Sequence, residues 1–317
     1  MTIAAVRHGT RRCPACGGPA TQSPRTARGK KAIGGGPLEI VACACGAAFQ
    51  PRVPTEEELA RWYDYMGHNP LNMQTTPLLD RRLGRMVDGF EPVRLTSRLV
   101  EIGIGGGLFV RTATTRGWDV WGTEISPSCV AALRPIMGER LHEGTVETIP
   151  FPDGSFDGAA MIEVIEHFDD PLPYLKAAHR LLRPGGRLFV TTPNARGMAG
   201  RVLGTQWRAY TDEHLSYFEP RSVTALLARA GFVDIEIDTT NFDLLAITVQ
   251  LRDRLPRRHR RSPTPAPSSA ASPPTPPKRT ERLGWAASAF DTAIELTNRV
   301  ARFTRLGDTL KVAARRP

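Results

Sequence analysis

The 317-residue sequence is short of several things that would each define a function class. It has no run of about 18 uninterrupted apolar residues, so no part of it reads as a membrane-spanning helix. Its first residues lack the apolar core of a secretory leader, which makes the cytoplasm the expected location. Acidic residues are missing from two stretches: residues 1–38 hold seven Lys/Arg and no Asp/Glu, and residues 252–282 hold nine Lys/Arg against two Asp/Glu. The net charge of +10 belongs to those stretches, and the rest of the chain is net acidic. Basicity therefore says little about the substrate, and a nucleic-acid acceptor is not expected. Cysteine is scarce at five residues, four of them in two close pairs, Cys13/Cys16 and Cys43/Cys45. In a chain of cytoplasmic character such pairs favour a metal over disulfides, while Cys129 reads as a small buried apolar residue.

What is present divides the chain into five stretches. Residues 1–52 carry the paired cysteines, and residues 53–95 read as a helical cap, from the capped, acid-led "PTEEELARWYDYM" to "LLDRRLGRMVDGF". Residues 96–242 alternate strand, glycine turn and helix, the pattern of an open parallel sheet covered on both faces. Residues 243–306 read as an insertion. Its Pro/Ser-rich part, 256–280, has no side chains from which to build a core and is expected to be disordered. An amphipathic helix follows, with Leu283, Phe290, Ile294 and Val300 near one stripe. It is expected to pack on the sheet or form a homodimer, with weak membrane-surface contact as the alternative. Residues 307–317 alternate apolar and polar as a final strand, expected to pair antiparallel with "FVDIEID".

The stretch "LVEIGIGGGLFV" puts Gly103, Gly105, Gly106 and Gly107 between a strand and a helix. Such a turn lets a ligand approach the backbone closely, though it also serves as a bare strand-to-helix connection. The next strand ends on Glu124, placed to accept hydrogen bonds from both hydroxyls of a ribose. A nicotinamide dinucleotide and S-adenosyl-L-methionine (SAM) both meet these requirements. Glu101 separates them, because a carboxylate at the end of the first strand opposes a pyrophosphate and suits a cationic ligand, as SAM is. An oxidoreductase is disfavoured on the same ground.

With these residues in view, the chain resembles the class I SAM-dependent methyltransferases. "EIGIGGG" resembles the loop that wraps the methionyl part of the cofactor, "GTVETIPFPDGSFDGAAMIEVIEHFDDP" the turn beside the adenine and the fourth strand, and "LLRPGGRLFVTTPN" the fifth. The resemblance covers residues 98–240 and implies a Rossmann-like α/β sheet of seven strands, the last antiparallel. It implies cofactor contacts at Glu101, Gly103, Gly105, Gly107, Glu124, Thr145, Val146, Glu147 and Glu163. Thr145 stands where the family often has Asp, so the adenine contact falls to it, to Val146 or to Glu147. His167 either caps its loop or touches cofactor or acceptor.

Methyl transfer to oxygen or carbon needs a base outside the cofactor loop. "HLSYFEPRSVTALLARAGF" resembles a segment of ubiquinone-biosynthesis-type O-methyltransferases, and its His214 is the candidate base, with fixing of a lid as the other reading. Trp207, Arg208 and Tyr210 are candidate walls of the acceptor pocket. The cysteine pairs, 26 residues apart, suit one tetrahedral structural zinc on Cys13, Cys16, Cys43 and Cys45, although a single residue inside the second pair strains that geometry. They resemble the ribbon of methyltransferases that act on nucleotide-linked deoxysugars. The expected activity is methylation of a small-molecule or sugar-type acceptor, O- before C-methylation, with a non-catalytic recruitment role as the remaining alternative. "IEVI" after the fourth strand lacks the Asn/Asp-Pro-Pro-aromatic set of base amino-methylating enzymes.

Overall fold

Runs such as "RLVEI" and "FDGAAMI" are apolar without alternation, which demands burial on both faces. In the computed structural model, which describes residues 11–55, 57–59, 77–242, 247–248 and 297–317, these runs form the middle of a seven-stranded sheet. Its strands are β4 (Arg98–Ile102), β5 (Asp119–Glu124), β6 (Leu141–Glu143), β7 (Phe156–Ile162), β8 (Leu182–Pro193), β10 (Val233–Thr240) and β11 (Thr309–Arg315), in the order β10-β11-β8-β7-β4-β5-β6. The strands from β6 to β8 are mutually parallel, since each is reached by a crossover. The crossovers include α2 (Leu108–Thr114), α3 (Pro127–Met137) and α4 (Pro171–Leu181), the last capped by Asp170.

Each face has its own core. Val100, Ile102, Ala159, Met161 and Val190 pack against Leu175 and Leu181 of α4 and Val223 and Leu227 of α6 (Pro220–Arg229). On the other face Leu99 and Ala160 meet Phe109 and Val110 of α2, and Leu83, Met86 and Val87 of α1 (Pro77–Asp88). Asp157, wholly buried on β7, accepts from the N–H groups of Leu95, Thr96 and Ser97 and pairs with Arg183 at 2.7 Å, tying the entry of β4 to its neighbours.

The last strand lies where its alternation placed it, antiparallel to "FVDIEID": β11 runs between β10 and β8, with Thr309 opposite Thr240 on one side and Pro193 on the other. Residues 297–304 form a helix with Asn298 and Ala301 buried. Val300, expected on its apolar stripe, is instead 49% exposed. Residues 243–246 and 249–296 of the insertion, including 256–280, lie outside the described residues, as do residues 60–76 with Trp62 and Tyr63.

A second, four-stranded sheet joins β1 (Arg25–Lys31), β2 (Pro37–Ala42), β3 (Ala48–Phe49) and β9 (Ser216–Tyr217) in that order, all antiparallel. The first three strands come from the cysteine-bearing segment and β9 from the loop after β8. Tyr217 pairs with Ala48 and Ser216 with Phe49, so the N-terminal segment completes its sheet with a piece of the core. Among the described residues no helix is long and apolar enough to cross a membrane.

Candidate active site

The carboxyl edge of the large sheet gathers most of the residues picked out from the sequence. After β4 the chain turns through Gly103, Gly105 and Gly107 at φ of 73°, 52° and 70°, a region closed to most side chains. A Cβ on Gly103 would sit 2.6 Å from Val164, whereas one on Gly105 would meet nothing within 4 Å, so the backbone there borders open space. Glu101 is 3% exposed and its Oε2 has no hydrogen-bond partner. Burial, with Glu124 adding to it, pushes its carboxyl well above the usual carboxylate range. That oxygen is free to accept from a donor group of a bound ligand.

Glu124, expected to face a ribose, makes three hydrogen bonds within the protein. Its Oε1 accepts from the Ile125 and Ser126 N–H groups at 2.8 and 2.7 Å, and its Oε2 from Gly105 N–H at 2.8 Å. It thus holds the glycine loop and the start of α3 together; Oε1 already accepts two bonds, and Oε2, with one, keeps a lone pair for a further donor. Thr145 is half-buried, Val146 is buried among core residues, and Glu147 is exposed, its carboxyl raised by burial and by Asp169 and Asp170. Glu163 directly follows β7 in the left-handed region at φ 52°, with its N–H donating to the carbonyl and hydroxyl of Thr191. Burial raises its carboxyl, against the opposing pull of Thr191 and Arg82.

The two candidate histidines, far apart in sequence, meet edge to face with ring centroids 4.8 Å apart. Nδ1 of His167 faces the Glu213 carbonyl at 3.1 Å and Nδ1 of His214 the Ala209 carbonyl at 2.9 Å. A carbonyl only accepts, so both Nδ1 atoms carry a proton, which leaves Nε2 as the nitrogen that can act as a base. Burial lowers the His214 pKa, outweighing the Ala209 carbonyl and Asp212, which favour the cation. Glu166 lies beside the pair: its Oε2 accepts from Thr192 and its buried Oε1 has no partner.

The four cysteines converge. Cys13 and Cys45, and Cys16 and Cys43, have Sγ atoms 3.5 Å apart, and all four lie within 4.8 Å of one another as free thiols. The one-residue spacing of the second pair is accommodated by a tight turn: Gly46, at φ 95°, donates to the Cys43 carbonyl and brings Cys45 back to the cluster. Burial opposes ionisation of Cys16, but the Gly18 N–H and the surrounding thiols bring it down to about 7.

Two residues that sequence reasoning passed over link this cluster to the histidines. Arg11 donates to the carbonyls of Gln50, Phe168, Asp169 and Leu215 and to the Ser216 hydroxyl; its burial lowers the guanidinium to about 10. The Gln50 carboxamide donates to the carbonyls of Thr211, Asp212 and His214. Both act on backbone oxygens, which leave no trace in sequence. Trp207 and Tyr210, expected as pocket walls, pack instead with Tyr217, Leu38 and Ile40 against the small sheet, and Trp207 is buried.

A carboxylate-flanked glycine loop at the carboxyl edge of a sheet ending in an antiparallel strand defines a SAM-dependent methyltransferase. The chain belongs to the family described as "Methyltransferase domain", whose profile matches residues 56–237. It is 27% identical over 220 residues to the ubiquinone biosynthesis O-methyltransferase of Dinoroseobacter shibae, covering 63% of this chain and 88% of that protein. It is 29% identical over 219 residues to the protein of that name from Ruegeria pomeroyi, with the same coverage of each. Among solved structures, phosphoethanolamine N-methyltransferase 2 of Haemonchus contortus bound to SAM superposes with a TM-score of 0.50 at 17% identity, covering 85% of this chain and 62% of that one. At that identity the likeness is one of fold alone.

Proposed function

We propose that this chain transfers the methyl group of SAM to an oxygen of a small-molecule acceptor, with His214 as the general base and His167 beside it. The observation that carries this reading is the histidine pair, each ring held through Nδ1 with Nε2 as its basic nitrogen. SAM supplies the electrophilic methyl and its own thioether leaving group, so the protein's work is alignment and removal of one proton. Glu101 meets the positive charge of the cofactor, which is what its unpartnered buried oxygen fits. Glu124 takes the ribose hydroxyls, the backbone at Gly103, Gly105 and Gly107 lies along the methionyl part, and Thr145, Val146 and Glu147 border the adenine. Glu163 stands between cofactor and acceptor. His214 Nε2 takes the acceptor hydroxyl proton as the oxygen–carbon bond forms, and its lowered pKa keeps it neutral for that step. The O-methyltransferase names of its relatives agree with oxygen as the acceptor atom.

The thiol cluster is read as one structural zinc. Zinc with four sulfurs at about 2.3 Å has tetrahedral edges of about 3.8 Å, near the 3.5 Å separations here. Four thiolates leave no coordination place for water, so the ion would hold the small sheet and take no part in the chemistry. On this reading residues 96–242 with 307–317 are the catalytic core, 1–52 its zinc-bearing support, 53–95 a cap and 243–306 an insertion, in a cytoplasmic enzyme.

The test pairs binding with turnover. S-adenosylhomocysteine should bind the full chain in calorimetry while NAD does not, and transfer from labelled SAM to catechol-type hydroxyls should fall in His214→Asn, which keeps the donor to Ala209. Undiminished turnover in that variant overturns His214 as the base.

A further inference from the structure

Helix α1 carries Arg82 and Arg85 one turn apart, on one side of the helix. Its far end is pinned to β8: Arg187 donates to the Gly89 carbonyl at 2.9 Å, and the Phe90 ring meets Phe189 at 4.7 Å between centroids. The chain then leads through Glu91–Val93 to the amino end of β4, so α1 descends from the carboxyl edge of the sheet while β8 climbs toward it. At about 1.5 Å per residue, Arg85 lies about 6 Å and Arg82 about 10 Å above Gly89. Thr191 lies about 7 Å above Phe189 on the same face of β8. The two arginines are therefore level with Thr191 and with the strand ends above it.

Lys311 of β11 is directly opposite Thr191 in the antiparallel register, as Ala313 is opposite Phe189. Opposed residues share a face, so Lys311 rises on the side that α1 covers. Glu163 is bonded through its N–H to the same Thr191. Two elements thus bring three cations to one face of the sheet near Glu163, the residue after β7.

Among the described residues none of Arg82, Arg85 and Lys311 makes an ion pair or a side-chain hydrogen bond. Arg82 and Lys311 are nevertheless half-buried. Burial lowers Arg82; burial, then Arg82 and Arg85, lower Lys311 to about 8. The acids facing them are Glu163, toward Arg82, and Asp238, toward Lys311, and Asp238 already has Arg302 at 3.8 Å. Cations drawn out of water without a partner weaken a fold, and proteins pair them or use them. With Glu163 ionised the three cations leave two positive charges unbalanced. A phosphate monoester, with a charge of about −1.5 to −2 near neutral pH, balances them. Guanidinium forks and an ammonium also match its three terminal oxygens, which a singly charged carboxylate does not.

We propose that Arg82, Arg85 and Lys311 form a subsite for a phosphate group carried by the methyl acceptor. The subsite rests on the reading that the acceptor binds at the carboxyl edge beside Glu163, and it narrows the acceptor to phosphorylated compounds.

The experiment uses the full chain saturated with S-adenosylhomocysteine, titrated calorimetrically with phenyl phosphate, benzoate and phenol. Phenyl phosphate is expected to bind at least tenfold tighter than either of the others. Arg82→Gln and Lys311→Met are each expected to weaken it at least tenfold while leaving S-adenosylhomocysteine affinity within twofold. Lys311→Met should also melt no lower than the parent without phosphate, since it removes an unpaired cation. Phenyl phosphate binding no tighter than benzoate or phenol, or binding that ignores both substitutions, overturns the subsite. A clear loss of thermal stability in Lys311→Met makes the lysine structural and overturns it too. Failure of S-adenosylhomocysteine to bind overturns the cofactor reading instead, and is seen before any phosphate is added.

Discussion

Glu101, next to last in β4, has one buried oxygen unpartnered, and that oxygen is a cost the free protein carries. Its carboxyl is raised in the folded state, so the fold binds a proton there more tightly than the unfolded chain does. By linkage its contribution to stability is fully present below the ordinary value of 4.5 and is lost as pH rises toward the raised folded value. Glu101→Gln is therefore expected to stabilise the ligand-free protein at neutral pH by about 1–3 kcal/mol, with the gain shrinking as pH falls, while S-adenosylhomocysteine binding weakens at least tenfold. Thermal melts across pH, with and without the ligand, measure both. His214 works in the other direction. Its lowered pKa keeps Nε2 unprotonated below the ordinary 6.5, so the acid limb of kcat/KM is expected below that pH. His214→Asn should lower kcat by about a hundredfold or more and abolish that limb, at unchanged S-adenosylhomocysteine affinity.

At the scale of elements, the loop from Ala209 to Tyr217 is held more from outside than from within. Gln50 reaches three of its carbonyls, Arg11 two of its residues, and β9 is paired to β3. Gln50→Ala strips those carbonyls of a shared donor, at a cost of about 1–3 kcal/mol in local order. It is expected to lower kcat about tenfold and blur the pH limb set by His214, while S-adenosylhomocysteine affinity stays within twofold. A variant with the parent's pH profile would show Gln50 to be plain packing. The elements also separate what was legible in sequence from what was not. The glycine loop, the turn at Glu124 and the alternation of β11 are local patterns, and the sequence carries local patterns openly. The meeting of His167 with His214 depends on β9 joining a sheet begun before residue 50. No spacing rule foretells that, nor that Lys311 would stand opposite Thr191. Trp207, an aromatic residue in a loop after the fifth strand, suits a pocket wall and a core equally well by sequence, and the structure packs it against the small sheet.

For the whole molecule, the large sheet carries the glycine loop, and the small one holds the loop that bears His214, the proposed base. If the cysteine cluster holds the proposed zinc, chemistry and support are separable by removing it. The strands of the cysteine-bearing segment bury only Leu38, Ile40, Val41 and Phe49 as large apolar residues, so their order should depend on zinc bridging the knuckles at Cys13 and Cys43. The as-isolated protein is expected to hold one zinc per chain by elemental analysis. Chelation under reducing conditions, or Cys16→Ser, should release β3 from β9 and with it the grip of Gln50 and Arg11. Loss of kcat by about tenfold or more should follow, while S-adenosylhomocysteine still binds, because Glu101, Glu124 and the glycine loop belong to the other sheet. Hydrogen exchange should quicken at residues 38–49 and 209–217 and stay slow across β4 and β7. Loss of cofactor binding in step with the metal would instead make the two sheets a single cooperative unit, and the cysteine cluster a condition for folding at all.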